Sequence, residues 1–435
     1  MVDLDRLAGF IHDSLIRLGL PGGALVVVDR DGELLRRAYG SVADPRTPMV
    51  IGSLSKSFTA AAIMRLVERG RIDVDAPVVT YLPDWADGAR VTVRQLLQHT
   101  SGLGPRQRRR DAAVGAMLGR HRYANVNYTL LGQIVEAVTQ TRYGDHLRRE
   151  IFEPLGMTSS AACREDTRAT ALAPGHTAWF GVPVRRPLRY PGPDAWEQPP
   201  AGYLSSSAVD LGAYLRCFLR DGGDLLAASS VRAMMTDTAL TQTAGVGYGF
   251  GWFVGTDAGQ RLWWHAGLVE NYMSEMVVLP DRGLAAALLV PGTDYLVATP
   301  LMARVHAGIV AILSGREPDQ LPVWAAQVRH AAINAGLVGL ATAALGSLLW
   351  ARRVRREASW SGAVAAGLIH GAAPVGLALV PRCAGATHDI ARRFAPDLYV
   401  VTQASAVLLG LGGVVRLLRR THPRVADNFI KTDSR

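Results

Sequence analysis

Gly52-Ser53-Leu54-Ser55-Lys56 is the stretch on which the reading of this chain turns. On a helix, residues three apart share a face, so the Ser53 hydroxyl and the Lys56 amine meet. A serine hydroxyl is a poor nucleophile until a neighbouring base takes its proton. A desolvated amine is such a base, or holds another base ionised. Ser53 at the helix start also places its backbone N–H where an oxyanion is stabilised. Ser-x-x-Lys alone is a weak motif, and its weight here comes from a census. Of 47 basic residues only two are lysine, Lys56 and Lys431. Arginine keeps its proton near neutral pH, whereas a buried lysine can release it. A lone lysine in an arginine-rich chain marks a position where an amine is required.

Two further constellations lie downstream. Tyr123-Ala124-Asn125 precedes an apolar helical pattern from Asn127 to Thr139. A phenol with pKa of about 10 serves as a base when a cation such as Lys56 lowers that value. Asn125 brings a donor and an acceptor for orienting Lys56 or a substrate amide. His265-Ala266-Gly267-Leu268 closes a strand pattern containing Trp263 and Trp264. The small residue and the glycine after His265 let a substrate approach the strand edge, and the Leu268 N–H becomes a second oxyanion donor. Taken singly, the tyrosine reads as packing and the histidine as a structural one.

Around these motifs the pattern is α+β. Residues 1–20 carry Leu7, Phe10, Ile11, Leu15 and Leu18 at helical spacing. Asp31-Gly32 joins two strands, 24–28 and 34–39. Helices are predicted over 53–69, 91–98, 127–139, 210–220 and 297–313, and strands over 247–254, 261–265, 274–279 and 284–290. Residues 181–200 hold six prolines and read as a long irregular loop. Two outer helices flanking an antiparallel sheet, with a helical insert, fit this order.

After Pro322 the character changes. Residues 330–351, 358–381 and 398–415 carry Glu, Asp, Lys or Arg nowhere, and each is long enough to cross a bilayer as a helix. Trp324, Trp350, Trp360 and Tyr399 lie near the ends, as interfacial anchors do. The expected organisation is a first domain over 1–318, a linker over 319–329, a three-helix membrane region over 330–420 and a basic tail over 421–435. Arg352, Arg353, Arg355 and Arg356 follow the first segment, and Arg416, Arg419, Arg420 and Arg424 follow the third. The positive-inside bias then places those loops in the cytoplasm and the first domain outside. Residues 1–20 lack the basic and apolar regions of a secretory signal, so either the start lies further upstream, as this orientation expects, or the first domain is cytoplasmic against the charge bias.

The charge distribution argues against nucleic acid. The net charge is +10, but residues 319–435 contribute +8 of it, beside the apolar segments. Cys163, Cys217 and Cys383 form neither a zinc pattern nor a redox pair, so no metal or other cofactor is implied.

The three motifs, in this order and context, resemble the serine β-lactamase and penicillin-binding-protein superfamily. The branch they are most similar to is that of class C β-lactamases and D-alanyl-D-alanine carboxypeptidases (peptidase family S12). The resemblance runs over about residues 5–315 and includes 20–24, 51–60, 96–103, 123–132, 201–211, 248–252 and 265–274. It implies Ser53 as the acylated nucleophile and Lys56 as its activating partner. It implies Tyr123 as general base and leaving-group acid. Asn125, His265 and Gly267 would bind substrate, and the N–H groups of Ser53 and Leu268 would form the oxyanion hole. His99 in His-Thr-Ser-Gly-Leu looks structural. The chain departs from the family in three places. Arg120-His121-Arg122 replaces the usual Pro-Gly before the tyrosine. Residues 104–122 are short and hold Arg106, Arg108, Arg109 and Arg110. Glu270-Asn271 replaces a glycine-rich run, where asparagine tolerates left-handed backbone.

The resulting expectation is a multi-pass membrane serine hydrolase acting through an acyl-enzyme on an ester or a D-amino-acid amide or peptide. Histidine in place of the family's common lysine implies weak hydrolysis of penicillins. The alternatives are a non-turnover sensor of cell-wall fragments or β-lactams, and an acyltransferase whose Arg106–Arg110 run holds an anionic group.

Overall fold

The computed structural model describes residues 2–163, 166, 171–192, 195, 198–353 and 360–421. Pro193, Arg355, Arg356, Arg424 and the tail from residue 422 onward fall outside the described residues. The chain divides into two units. The first comprises 1–177, 183–293 and 298–321, and the second 178–182, 294–297 and 322–435.

The first unit is built on an eight-stranded sheet. Its strands are β1 (Gly22–Asp29), β2 (Glu33–Gly40), β3 (Ala239–Leu240), β4 (Gly247–Tyr248), β5 (Phe253–Asp257), β6 (Gln260–Val269), β7 (Tyr272–Leu279) and β8 (Leu284–Val290). They run in the order β2-β1-β8-β7-β6-β5-β4-β3, and the pairings are antiparallel. Consecutive strands neighbour one another, except that β1 returns to pair with β8. The central strands are buried on both faces, so β1 reads as a continuous apolar run. Alternation sorts its side chains: Ala24, Val26 and Val28 join one core, while Leu25 and Val27 join the other.

On the second face lie α1 (Leu4–Arg17) and, near the end of the unit, Ala298–Leu313. Asp3 caps α1 by accepting from the Arg6 amide, and Leu7, Ile11 and Leu15 form its buried stripe. The first face carries α2 (Ser55–Glu68), α3 (Asn125–Thr139) and α4 (Ala208–Leu219). Nearly every residue of α2 up to Met64 is buried, which explains the small side chains at Ala60–Ala62. Phe58 stacks on Tyr214 of α4 at 3.9 Å between ring centroids. We call Ala298–Leu313 α5.

Three local differences from the sequence pattern have physical causes. The strand expected over 247–254 is broken by a bend at Gly249–Gly251. A Cβ at Gly251 would lie 2.8 Å from the Lys56 carbonyl oxygen, so the backbone there packs on the backbone of α2. The proline-rich stretch is not wholly irregular, since Val182–Arg185 is a strand and Pro199–Tyr203 a single wide π-helical turn. Strand β6 does not end at the His265 motif but continues to Val269 and turns back into β7. Neither Glu270 nor Asn271 at that turn adopts a left-handed backbone. The turn is fixed instead by Thr177 and Thr293, whose hydroxyls both donate to the Glu270 carbonyl at 2.8 and 2.7 Å.

The second unit contains α6 (Val323–Arg353), α7 (Trp360–Cys383) and α8 (Pro396–Thr421). All three are long and apolar enough to cross a membrane, with mean hydropathy of 1.7 to 1.8 in their most apolar windows. Helix α6 opens at Val323, so residues 323–329 are helical. Gly412 and Gly413 on α8 lie against His370 of α7, where added Cβ atoms would come within 2.6 and 3.0 Å of that side chain. Small residues at such a contact let membrane helices approach closely.

Candidate active site

Ser53 sits in a short 3₁₀ turn, Gly52–Leu54, that leads directly into α2. The turn is tied down by its own polar side chains. Ser55 Oγ donates to the Gly52 carbonyl at 2.6 Å and Ser57 Oγ to the Leu54 carbonyl at 2.8 Å. Lys56, one turn on from Gly52, points back: Nζ donates to Ser53 Oγ at 2.9 Å and to the Ala201 carbonyl at 2.5 Å. The lysine is fully buried, and Nζ lies 4.8 Å from the centre of the Tyr123 ring and 5.8 Å from that of Tyr128. Three elements far apart in sequence therefore converge on one ammonium group.

Tyr123 and Asn125 reach the site because α3 is clamped to the His99 turn. His99 has φ of 58°, a left-handed conformation that costs energy for a side chain of its size. Its Nδ1 lies 3.3 Å from the Ala124 amide, which donates to it, and 2.9 Å from Asn127 Nδ2. Accepting there fixes the neutral tautomer with the proton on Nε2. Ser101 Oγ donates to Asn127 Oδ1 at 2.6 Å, and Tyr128 donates to the Leu97 carbonyl at 2.8 Å. Burial, then the Lys56 charge, holds the His99 pKa well below the ordinary histidine value. His99 is thus a neutral clamp that aims the start of α3.

The opposite wall is β6. Strand β5 pairs with it only as far as Trp264, so from His265 onward the near edge of β6 faces the Ser53 turn. Glycine is required on both sides of that approach. A Cβ on Gly52, whose φ is 53°, would lie 2.5 Å from the Leu268 nitrogen. One on Gly267 would lie 2.2 Å from the Ile51 carbonyl oxygen. Ser274 Oγ donates to that same carbonyl at 2.7 Å and locks the turn to the sheet. The Leu268 amide is thereby pressed against the turn that carries Ser53.

His265 is enclosed, at 1% exposure. Nδ1 lies 2.7 Å from the Ala266 carbonyl and Nε2 lies 3.2 Å from the Tyr248 hydroxyl. The carbonyl accepts only, so Nδ1 carries the proton and Nε2 accepts from Tyr248. Burial, then the Lys56 charge, pushes the His265 pKa down to about 3. The ring is neutral at physiological pH.

The structure brings Ser53, Lys56, Tyr123, Asn125, His265, Gly267 and Leu268 into one region of the first unit. It adds two groups that motif reading did not single out. Tyr248 fixes His265, and the Ala201 carbonyl takes the second hydrogen bond of Lys56. Both fall inside stretches quoted for the resemblance, but a backbone carbonyl leaves no mark in a sequence. The arginine-rich run lies elsewhere. Arg109 and Arg110 line a cavity of about 440 Å³ with Gln133, Glu136, Arg142 and Pro200. The Pro199–Tyr203 turn forms its wall.

Comparison with known proteins agrees with this architecture. Residues 7–310 match the beta-lactamase family model. The chain is 29% identical over 343 residues to penicillin-binding protein 4 of Amycolatopsis lactamdurans, covering 69% of this chain and 88% of that protein. It is 24% identical over 310 residues to protein flp of Staphylococcus aureus strain N315, covering 64% of this chain and 61% of flp. It thus spans only about six-tenths of the length of flp. Among solved structures, the octameric penicillin-binding protein homologue from Pyrococcus abyssi aligns with a TM-score of 0.65 and 26% identity, covering 73% of this chain and 79% of that one. The D-amino acid amidase from Ochrobactrum anthropi SV3 aligns with a TM-score of 0.61 and 22% identity, covering 72% and 99%. With the fold, the motif geometry and a family match across most of its length, this chain belongs to the beta-lactamase family.

Proposed function

We propose that this protein is a membrane-attached serine hydrolase that forms an acyl-enzyme at Ser53. The observation that carries the reading is the 2.9 Å hydrogen bond from a fully buried Lys56 amine to Ser53 Oγ, inside a turn pressed against a strand edge. Ser53 Oγ attacks the substrate carbonyl carbon, and its proton passes to the Tyr123–Lys56 pair. The carbonyl oxygen becomes an oxyanion facing the N–H groups of Ser53 and Leu268, where each such donor is worth about 3 kcal/mol. Tyr123 returns the proton to the departing alcohol or amine as the carbon–heteroatom bond breaks. Water then attacks the ester, with the same pair taking its proton, and Ser53 is released. Asn125 orients the acyl portion.

The neutral His265 argues for the substrate class. With both nitrogens engaged, the ring supplies no cation for a substrate carboxylate. An uncharged ester or a D-amino-acid amide fits better than a penicillin or a free terminal D-alanine. This agrees with the amide substrate class named for the Ochrobactrum neighbour, whose likeness is one of fold. The catalytic unit lies on the extracytoplasmic side, as the basic loops favour.

Fluorophosphonate labelling with peptide mapping tests the nucleophile. Ser53 is expected to carry the label, and Ser53→Ala to lower turnover of p-nitrophenyl esters and D-amino-acid anilides by about a thousandfold or more. A label on another serine, or rapid nitrocefin turnover, overturns the assignment of nucleophile or substrate respectively.

A further inference from the structure

Behind β6, on the sheet face away from the Lys56 core, lies a second cavity of about 300 Å³. Periodicity makes it. Thr299, Met302, Ala303 and His306 fall on one face of α5, while Trp264, Ala266 and Leu268 alternate onto the outer face of β6. Met273 and Glu275 close it from β7. The small side chains at Ala266 and Ala303 leave the space open.

One residue does not belong in such a lining. Glu275 stands opposite Ala266 in the sheet and is 7% exposed, on the sheet face that α1 and α5 cover. One carboxylate oxygen lies 3.2 Å from His306 Nδ1. Its other oxygen takes a hydrogen bond from none of the described residues, and the residue lines the cavity. Burial raises its pKa above the ordinary carboxylate range, with His306 opposing. That oxygen is accessible rather than buried, and it opens onto the cavity, where a bound group can pair with it. What pairs best is a cation. The Trp264 indole and the thioethers of Met273 and Met302 favour an apolar body attached to it.

We propose that this cavity is a binding site for a small organic ammonium compound, a primary amine on a single apolar ring or short chain, with the amine on Glu275 and the apolar body between Trp264 and Met302. The site is separate from Ser53, and the two share β6. Leu268 gives its side chain to this cavity and its amide to the turn that carries Ser53.

The test is calorimetric titration of the purified full-length protein in detergent with 2-phenylethylamine, and with 2-phenylethanol as its uncharged counterpart. Saturable one-to-one binding of the amine is expected, at least about tenfold tighter than the alcohol. Ser53→Ala should bind as wild type does. Glu275→Gln should weaken binding by about tenfold or more, and Ala303→Leu, which fills the cavity from a solvent-facing position and leaves Glu275 intact, should abolish it. If Glu275→Gln fails to fold, Ala303→Leu and the alcohol decide. Absence of saturable binding, equal binding of the alcohol, either variant binding like wild type, or loss of binding in Ser53→Ala each overturns the proposal. None of these outcomes depends on whether Ser53 is the nucleophile.

Discussion

His265 shows how one residue's surroundings decide its chemistry. An imidazole on an exposed strand titrates near pH 6.5. Here burial and the Lys56 ammonium hold the proton off down to about pH 3, and Tyr248 occupies the nitrogen that would take it. The consequence for stability has a definite sign. Between about pH 6.5 and about pH 3 the unfolded chain binds a proton at this position and the folded chain does not, so acidification favours unfolding. His99, His121 and His146 shift in the same direction. The thermal midpoint should fall between pH 7 and pH 4, and it should fall less in His265→Gln, which removes one of the four. An equal fall in the variant would show that residue 265 is already charged in the folded protein. At this scale the sequence was most informative where spacing is local. Ser53 and Lys56 are one helical turn apart, and the scarcity of lysine singled out the pair. Tyr248 and Ala201 were not legible as partners, because they arrive through the fold from 17 and 145 residues away.

At the scale of elements, the Pro199–Tyr203 turn is the most sensitive part. It holds the Ala201 carbonyl on Lys56 and the Pro200 carbonyl on Thr59 Oγ1, at 2.5 and 2.7 Å. Its outer side rests on α3 at Gly132, where a Cβ would lie 2.3 Å from Pro200 Cγ. Gly132→Ala should therefore displace the turn. Overpacking of this kind costs about 1–3 kcal/mol of stability. The misplaced lysine should lower kcat by about tenfold to a hundredfold while KM changes little, measured on an ester substrate. An unchanged kcat would separate the turn from the chemistry. The helices and inner strands were readable from their apolar pattern, α1 from a regular stripe and β1 from a continuous apolar run. The Pro199–Tyr203 turn was not, because two prolines and a glycine report only that regular structure is interrupted.

For the whole molecule, the open question of function is sidedness. With the first unit outside, α6 runs inward, α7 outward and α8 inward. Cys383, exposed at the end of α7, then lies on the outer side. A chain retaining only that cysteine should react with a membrane-impermeant maleimide in intact cells, and failure to react until the cells are opened would reverse the orientation. The three apolar segments were evident from their lack of charge, and so was the α+β order of the first unit. The contact between α7 and α8 through Gly412 and Gly413 was not, because small residues are common along all three helices.

The burial of Lys56 has a practical corollary. Outside the chain terminus, the only other primary amine in the sequence is that of Lys431. Acylating reagents such as succinimidyl esters, which need a free amine in solvent, therefore find almost no target on the folded protein. Modification at position 56 would therefore report unfolding of the first unit.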